Sequence, residues 1–219
     1  MDEILNSKRL VTSYWHRDQS KKLLDFALKN DSANALIYAT LESRIALERY
    51  VFEISILTKS KESINEIVKI ASKKNGVFEL LKKTTTDYKK HINFCNIIFE
   101  IHKLPYKIDT PNLKIFKRLI TKLSKYCHPQ YIPEESVDSV NREWFIKGVA
   151  LVNETTEILN TLIFNGGIDI NSMVEDIKEI YYKYINGDIT EKTVRFRLDI
   201  MGPIINIRKS RNSLKYIDR

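Results

Sequence analysis

The stretch from Asp31 to Thr58 contains neither glycine nor proline, and Asp31-Ser32 at its head offers side-chain oxygens for the first unpaired amides of a helix. One long helix is therefore expected there, at the centre of the molecule. Advancing 100° per residue places Ile37, Leu41, Ile45, Val51, Phe52 and Ile56 in one sector, the expected core side. Arg44 and Glu48 fall in that same sector, whereas Glu42, Arg49 and Glu53 read as solvent-facing.

Charges on a core side are costly unless paired, so an Arg44–Glu48 ion pair at i,i+4 spacing is expected. Two readings stay open for it. The pair either fixes register or a subunit contact, or it lines a cleft or interface that needs polar groups.

The same signals recur along the chain. Asp18 to Leu28 predicts a shorter helix, with the segment around Tyr14 and Trp15 packing across it. A helix from Ser60 to Ala71, with Ile64, Ile67, Val68 and Ala71 on its face, stops at Asn75-Gly76. Another runs from about Thr84 to His102. After Asp109-Thr110-Pro111, Leu113, Phe116, Ile120, Leu123 and Cys127 form a heptad-like seam that ends at His128-Pro129. Ser139 to Phe164 gives a second long helix, in which Gly148 would let a neighbour approach closely and Gly166-Gly167 forms the stop. Helices over Asp169–Ile185 and Thr190–Leu198 follow, separated by a turn at Asn186-Gly187-Asp188. The fold class is all-α, an irregular bundle with two or three long central helices. It forms a single domain over 1–200, followed by a basic tail at 201–219.

Six glycines and five prolines among 219 residues are too few for a loop-rich β-sandwich. Two cysteines without metal-ligand spacing indicate reduced thiols rather than a disulfide framework. The opening MDEILNSKRL lacks the apolar stretch of a secretory signal, and no apolar run reaches the length of a membrane span. A cytoplasmic protein that contacts no membrane is expected.

The net charge of +8 is unevenly spread. Residues 103–125 hold seven Lys and Arg against Asp109, residues 59–91 hold nine Lys against four acids, and 134–179 holds ten acids against three bases. A basic face suits nucleic acid, and the acidic 134–179 segment suits a protein partner. Tyr181-Tyr182-Tyr184 near Arg195 and Arg197 fits either base stacking or helix packing.

His128 closes the basic helix carrying Arg118, Lys122 and Lys125. A histidine so placed serves either as a proton carrier near a phosphodiester or as a cap on helix carbonyls. Cys127 beside it reads as packing on the seam. The four histidines are scattered, with no HExxH or CxxC arrangement, no Walker A loop, no GxGxxG turn and no GxSxG elbow. Neither a metal nor a cofactor is expected.

The run Glu42-Ser43-Arg44-Ile45-Ala46-Leu47-Glu48-Arg49-Tyr50-Val51-Phe52-Glu53, followed by a helix ending in His128, resembles the HEPN superfamily over about residues 30–165. That resemblance implies a homodimer that engages RNA in a toxin or host-defence role. Many such proteins are metal-independent ribonucleases with an Arg-x4-6-His signature, in which the ribose 2′-OH attacks the adjacent phosphate. His128 matches the histidine, while Lys122 stands where the arginine would be and supplies a point charge without the guanidinium fork. On this reading His128 and Lys122 are the catalytic candidates, and Arg44, Glu48, Arg118 and Lys125 the binding candidates. The competing class is a non-enzymatic protein-interaction or regulatory module.

Overall fold

A computed structural model describes residues 12–58, 64–110, 112–127, 142–162 and 168–201. The described residues form eight α-helices and no strand, an all-α bundle as expected from the sequence. They are α1 (Ser13–Asn30), α2 (Ala33–Leu57), α3 (Ile64–Ala71), α4 (Gly76–Ile101), α5 (Lys114–Cys127), α6 (Arg142–Leu162), α7 (Glu175–Asn186) and α8 (Glu191–Met201), with a 3-10 turn at Ile170–Ser172. The Ser60-Lys61-Glu62 start, Pro111, His128 and the residues after it to 141, Gly166-Gly167 and residues 202–219 lie outside the described residues.

Helix α1 is longer than its periodicity indicated. Tyr14 and Trp15 belong to its first turn rather than to a segment crossing it, because the Thr12 hydroxyl accepts from the Trp15 amide and starts the helix there. At the other end Asp31 takes the left-handed conformation with φ 49° and closes α1. Ser32 then caps α2 by accepting from the Ala35 amide. Two residues thus make a tight antiparallel hairpin.

The α1–α2 contact is built from small residues. Ser20, Ala27, Ala35, Ala39 and Ser43 are buried, and the Ser20 hydroxyl bonds the Ala39 carbonyl at 2.8 Å and the Ser43 hydroxyl at 2.6 Å. Short side chains let the two backbones approach, and the carbonyl contact is possible only at that distance. Leu24 and Leu36 complete this cluster with Phe145 and Val152 of α6.

Helix α2 is central, as its length indicated, but its phase differs from the sequence reading. The buried side carries Leu36, Ala39, Ser43, Ala46, Leu47, Tyr50 and Ile54; Val51 and Ile56 are buried too, whereas Ile37, Leu41, Ile45 and Phe52 are half-buried. Weighting only the large apolar residues misplaced the core side, because the close hairpin buries alanine and serine instead.

Of the expected seam, Leu113 just before α5 and Phe116, Ile120 and Leu123 within it are buried, joined by Leu119 and Tyr126, while Cys127 is half-buried. The helix packs on α2, with the Phe116 ring 5.5 Å from that of Tyr50. Full burial of such a side chain contributes roughly 1.5–3 kcal/mol. The Asn112 side chain, rather than Asp109, accepts from an amide of the first turn, that of Lys114.

Helix α4 begins at Gly76 rather than near Thr84. Asn75, at φ 63°, takes the expected left-handed conformation, but as the residue that leads into α4; α3 already ends at Ala71. A β-carbon at Gly76 would lie 2.0 Å from the Ile70 carbonyl oxygen, so this turn requires glycine. In α3, Ile64, Ile67 and Ile70 are buried, while Val68 and Ala71 are exposed, contrary to the expected face.

Gly148 does admit a close approach: its β-carbon would lie 2.9 Å from both Leu36 Cδ2 and Tyr126 Cε1. The second cluster, around Phe94, Tyr181, Val194 and Leu198, seals α7 and α8 against α4, and Tyr181 is packing as the helix-face reading expected.

Candidate functional site

Helix α5 has no acidic residue, and its polar side is cationic along its whole length. Lys114, Lys117, Lys122 and Lys125 are exposed, opposite the buried seam that holds the helix on α2. Arg118 is paired with Glu154 of α6 across the surface; the four lysines have no acidic partner among the described residues. An exposed ion pair adds about 0–1 kcal/mol and cancels one positive charge of the five. The remaining charge sits on one rigid rod and projects one way, an arrangement that attracts polyanions.

The C-terminal end of α5 meets α2. There Arg44 Nε donates to Glu48 Oε1 at 2.8 Å, forming the pair expected from the i,i+4 spacing. Both side chains remain 31 % exposed, so the pair lies at the rim of the bundle and not within its core. Cys127 lies against Arg44, Glu48 and the Thr40 hydroxyl. Burial pushes its thiol pKa upward, opposed by the Arg44 charge and the Thr40 hydrogen bond, and the thiol donates to the Leu123 carbonyl at 3.4 Å. Cys127 is thus a packed thiol at the margin of a polar cluster.

The candidates therefore divide. Arg44 and Glu48 gather beside Cys127, whereas Lys122, five residues earlier on the helix, points about 140° away from it. Arg118, Lys122 and Lys125 share the outer side. His128 lies outside the described residues.

Glu42, Arg49 and Glu53, expected in solvent, are instead less exposed than Arg44 and Glu48. Glu42 takes His16 Nδ1 at 2.6 Å. Glu53 accepts from the Ser13 amide and hydroxyl at 3.0 and 2.6 Å and from Arg49 Nε at 3.3 Å. These carboxylates pin the first turn of α1 onto α2. The sequence signal was faint: Ser13 and His16 lie three residues apart, on one side of a turn that periodicity had left outside the helix.

A second polar group lies deeper. The Tyr50 and Tyr88 hydroxyls meet at 3.2 Å, His91 Nδ1 sits 3.1 Å from the Tyr181 hydroxyl, and His91 Nε2 lies 3.6 Å from Cys95 Sγ. Burial pushes Cys95 up to about 11 and Tyr88 up to about 12, and raises Tyr50 and Tyr181 as well. Groups held protonated and sealed from solvent link helices and have no access to a substrate.

Among the described residues no group of three His, Cys, Asp or Glu gathers as a metal site, and no helix is long and apolar enough to cross a membrane. No protein-family model matches the chain, and no curated protein or solved structure shows significant similarity to it.

Proposed function

We propose that this chain engages RNA along the outer side of α5, as a HEPN-like protein in which His128 and Lys122 support metal-independent cleavage. The acid-free, cationic side of α5 is the observation that carries the reading. Lys114, Lys117, Lys122 and Lys125 would each neutralise a backbone phosphate and release a counterion. Where the 2′-OH attacks its neighbouring phosphate, the bond to the 5′-oxygen of the next nucleotide breaks and a 2′,3′-cyclic phosphate is left. His128 would move the 2′-OH proton on to that departing oxygen, and Lys122 would offset the developing negative charge.

The test measures single-stranded RNA affinity against salt concentration, for wild type and for the Lys117→Ala/Lys122→Ala/Lys125→Ala variant. Each lost phosphate contact is expected to lower the slope of log K against log salt by roughly 0.7. An unchanged slope would refute binding through this side. In parallel, RNA is incubated in chelator with wild type and with His128→Ala. Cleavage lost in the variant is expected; RNA left intact by the wild type ends the ribonuclease reading and leaves the non-enzymatic module in its place.

A further inference from the structure

The C-terminal part of α2, helix α3 and the first half of α4 enclose a recess of about 350 Å³, and none of its lining comes from α5. Its wall is apolar, built from the buried Ile67 and Ile70 of α3 and Leu80 of α4. Two hydroxyls face it, those of Ser55 in α2 and Thr84 in α4, on residues only 2 % and 3 % exposed. An apolar recess of this size with a few placed polar groups has the make-up of a small-molecule site.

The hydroxyl protons can be followed one at a time. Ser55 donates its single proton to the Val51 carbonyl at 2.7 Å, so in the 2.8 Å contact between the two hydroxyls it is Thr84 that donates. Thr84 Oγ1 then keeps acceptor lone pairs that no donor among the described residues meets. A buried acceptor left in that state costs free energy until a donor arrives. Asp87 stands one turn further along the same side of α4, half-buried and also lining the recess. At the rim, Lys83 is divided between Glu66 and Glu79, at 3.4 and 3.6 Å. Glu66, Glu79 and Asp87 thus stand against one lysine, on a chain whose net charge is +8. The recess is matched to a ligand that donates and is positively charged.

We propose that this recess binds a small organic ammonium, its apolar body against Ile67, Ile70 and Leu80 and its nitrogen donating to Thr84 Oγ1 and the Asp87 carboxylate. Glu66 adds negative charge at the mouth. An anionic ligand in the same place would face Glu66 and Asp87, with only Lys83, already shared by two glutamates, to offset them. A wholly apolar ligand would leave Thr84 Oγ1 unmet. The site shares no residue with the cationic side of α5, so ammonium binding here and RNA binding there are separate events.

Three probes with one apolar body and different head groups test it: phenylbutylammonium, phenylbutanol and phenylbutanoate, each titrated into the full chain at neutral pH while methyl chemical shifts are followed by NMR. RNA is absent, so failure here leaves the RNA reading to its own test. The ammonium is expected to shift the methyls of Ile67, Ile70 and Leu80 and to bind about tenfold or more tightly than the alcohol, because its hydrogen bonds are charge-assisted. The carboxylate is expected not to bind. Thr84→Val keeps the shape of the side chain and leaves Ser55 its carbonyl partner, and should weaken the ammonium about tenfold. Glu66→Gln, at an exposed position whose change leaves the fold intact, should weaken it about twofold at low salt and less at high salt. Absence of ammonium binding at millimolar concentration overturns the proposal. So do equal affinities for the three probes, shifts that fall outside the recess, or an ammonium affinity unchanged in both variants.

Discussion

Helices α2 and α5 pack on each other, yet they solve opposite problems. Helix α5 buries Phe116, Leu119, Ile120 and Leu123 on one side and carries lysine and arginine, with Thr121 among them and no acid, on the other. Helix α2 buries alanine, serine and leucine on one side and keeps isoleucine, leucine and phenylalanine half-covered on the other. The comparison teaches that apolar bulk marks a core only where a helix has a single apolar side. Where it has two, the closer packing goes to the smaller side chains, and the larger ones are left for another surface.

The sharpest way to break this contrast is to truncate each helix on its large residues. Phe116→Ala empties a fully buried site against Tyr50 and should cost about 3–5 kcal/mol in urea unfolding. Leu41→Ala should cost less than half as much, because its side chain is already partly in water. Equal losses at the two positions would mean that the outer side of α2 is core after all.

This difference also explains what could be read from the amino acids. In α5 the three-and-four spacing of large residues coincided with the buried side, so the seam and the cationic surface were both legible. In α2 the sector chosen from Ile37, Leu41, Ile45 and Phe52 was rotated away from the tight contact with α1, because that contact depends on Ser20, Ala39 and Ser43, whose size and not their hydropathy decides it. The Arg44–Glu48 pair followed from its spacing. Its place at the rim did not, and neither did the capture of Glu42 and Glu53 by His16 and Ser13, which join elements distant in the chain.

A smaller effect probes the joint between the two helices. Gly148 of α6 faces Leu36 of α2 and Tyr126 of α5 at once, and an added methyl would sit 2.9 Å from each. Gly148→Ala should cost about 1–3 kcal/mol, since Leu36 is fully buried and has little room to yield, even though alanine favours the helix itself. A thermal midpoint equal to or above wild type would show that the three helices are less closely packed than these distances require.

The mildest test separates the helices by what they hide. Helix α5 turns its charges outward, whereas α2 brings Tyr50 inward to Tyr88, near the Cys95 thiol on the same helix as Tyr88. Burial raises the Tyr88 phenol from 10.0 to about 12 and the Cys95 thiol from 9.0 to about 11. Below pH 9 these groups are protonated whether the chain is folded or not, so the stability they contribute is fully present. As pH rises further, the unfolded chain releases their protons first and gains free energy by doing so. Stability therefore falls through the interval from about 9 to about 12, by at most ~3 kcal/mol for each group. The urea midpoint should decline over that interval in wild type and decline less steeply in Tyr88→Phe, which removes one titrating phenol and starts from a slightly lower value because Tyr50 loses its partner. A midpoint that stays level as pH rises toward 11 would mean that water reaches these groups, and that α2 is as open on its inner side as on its outer one.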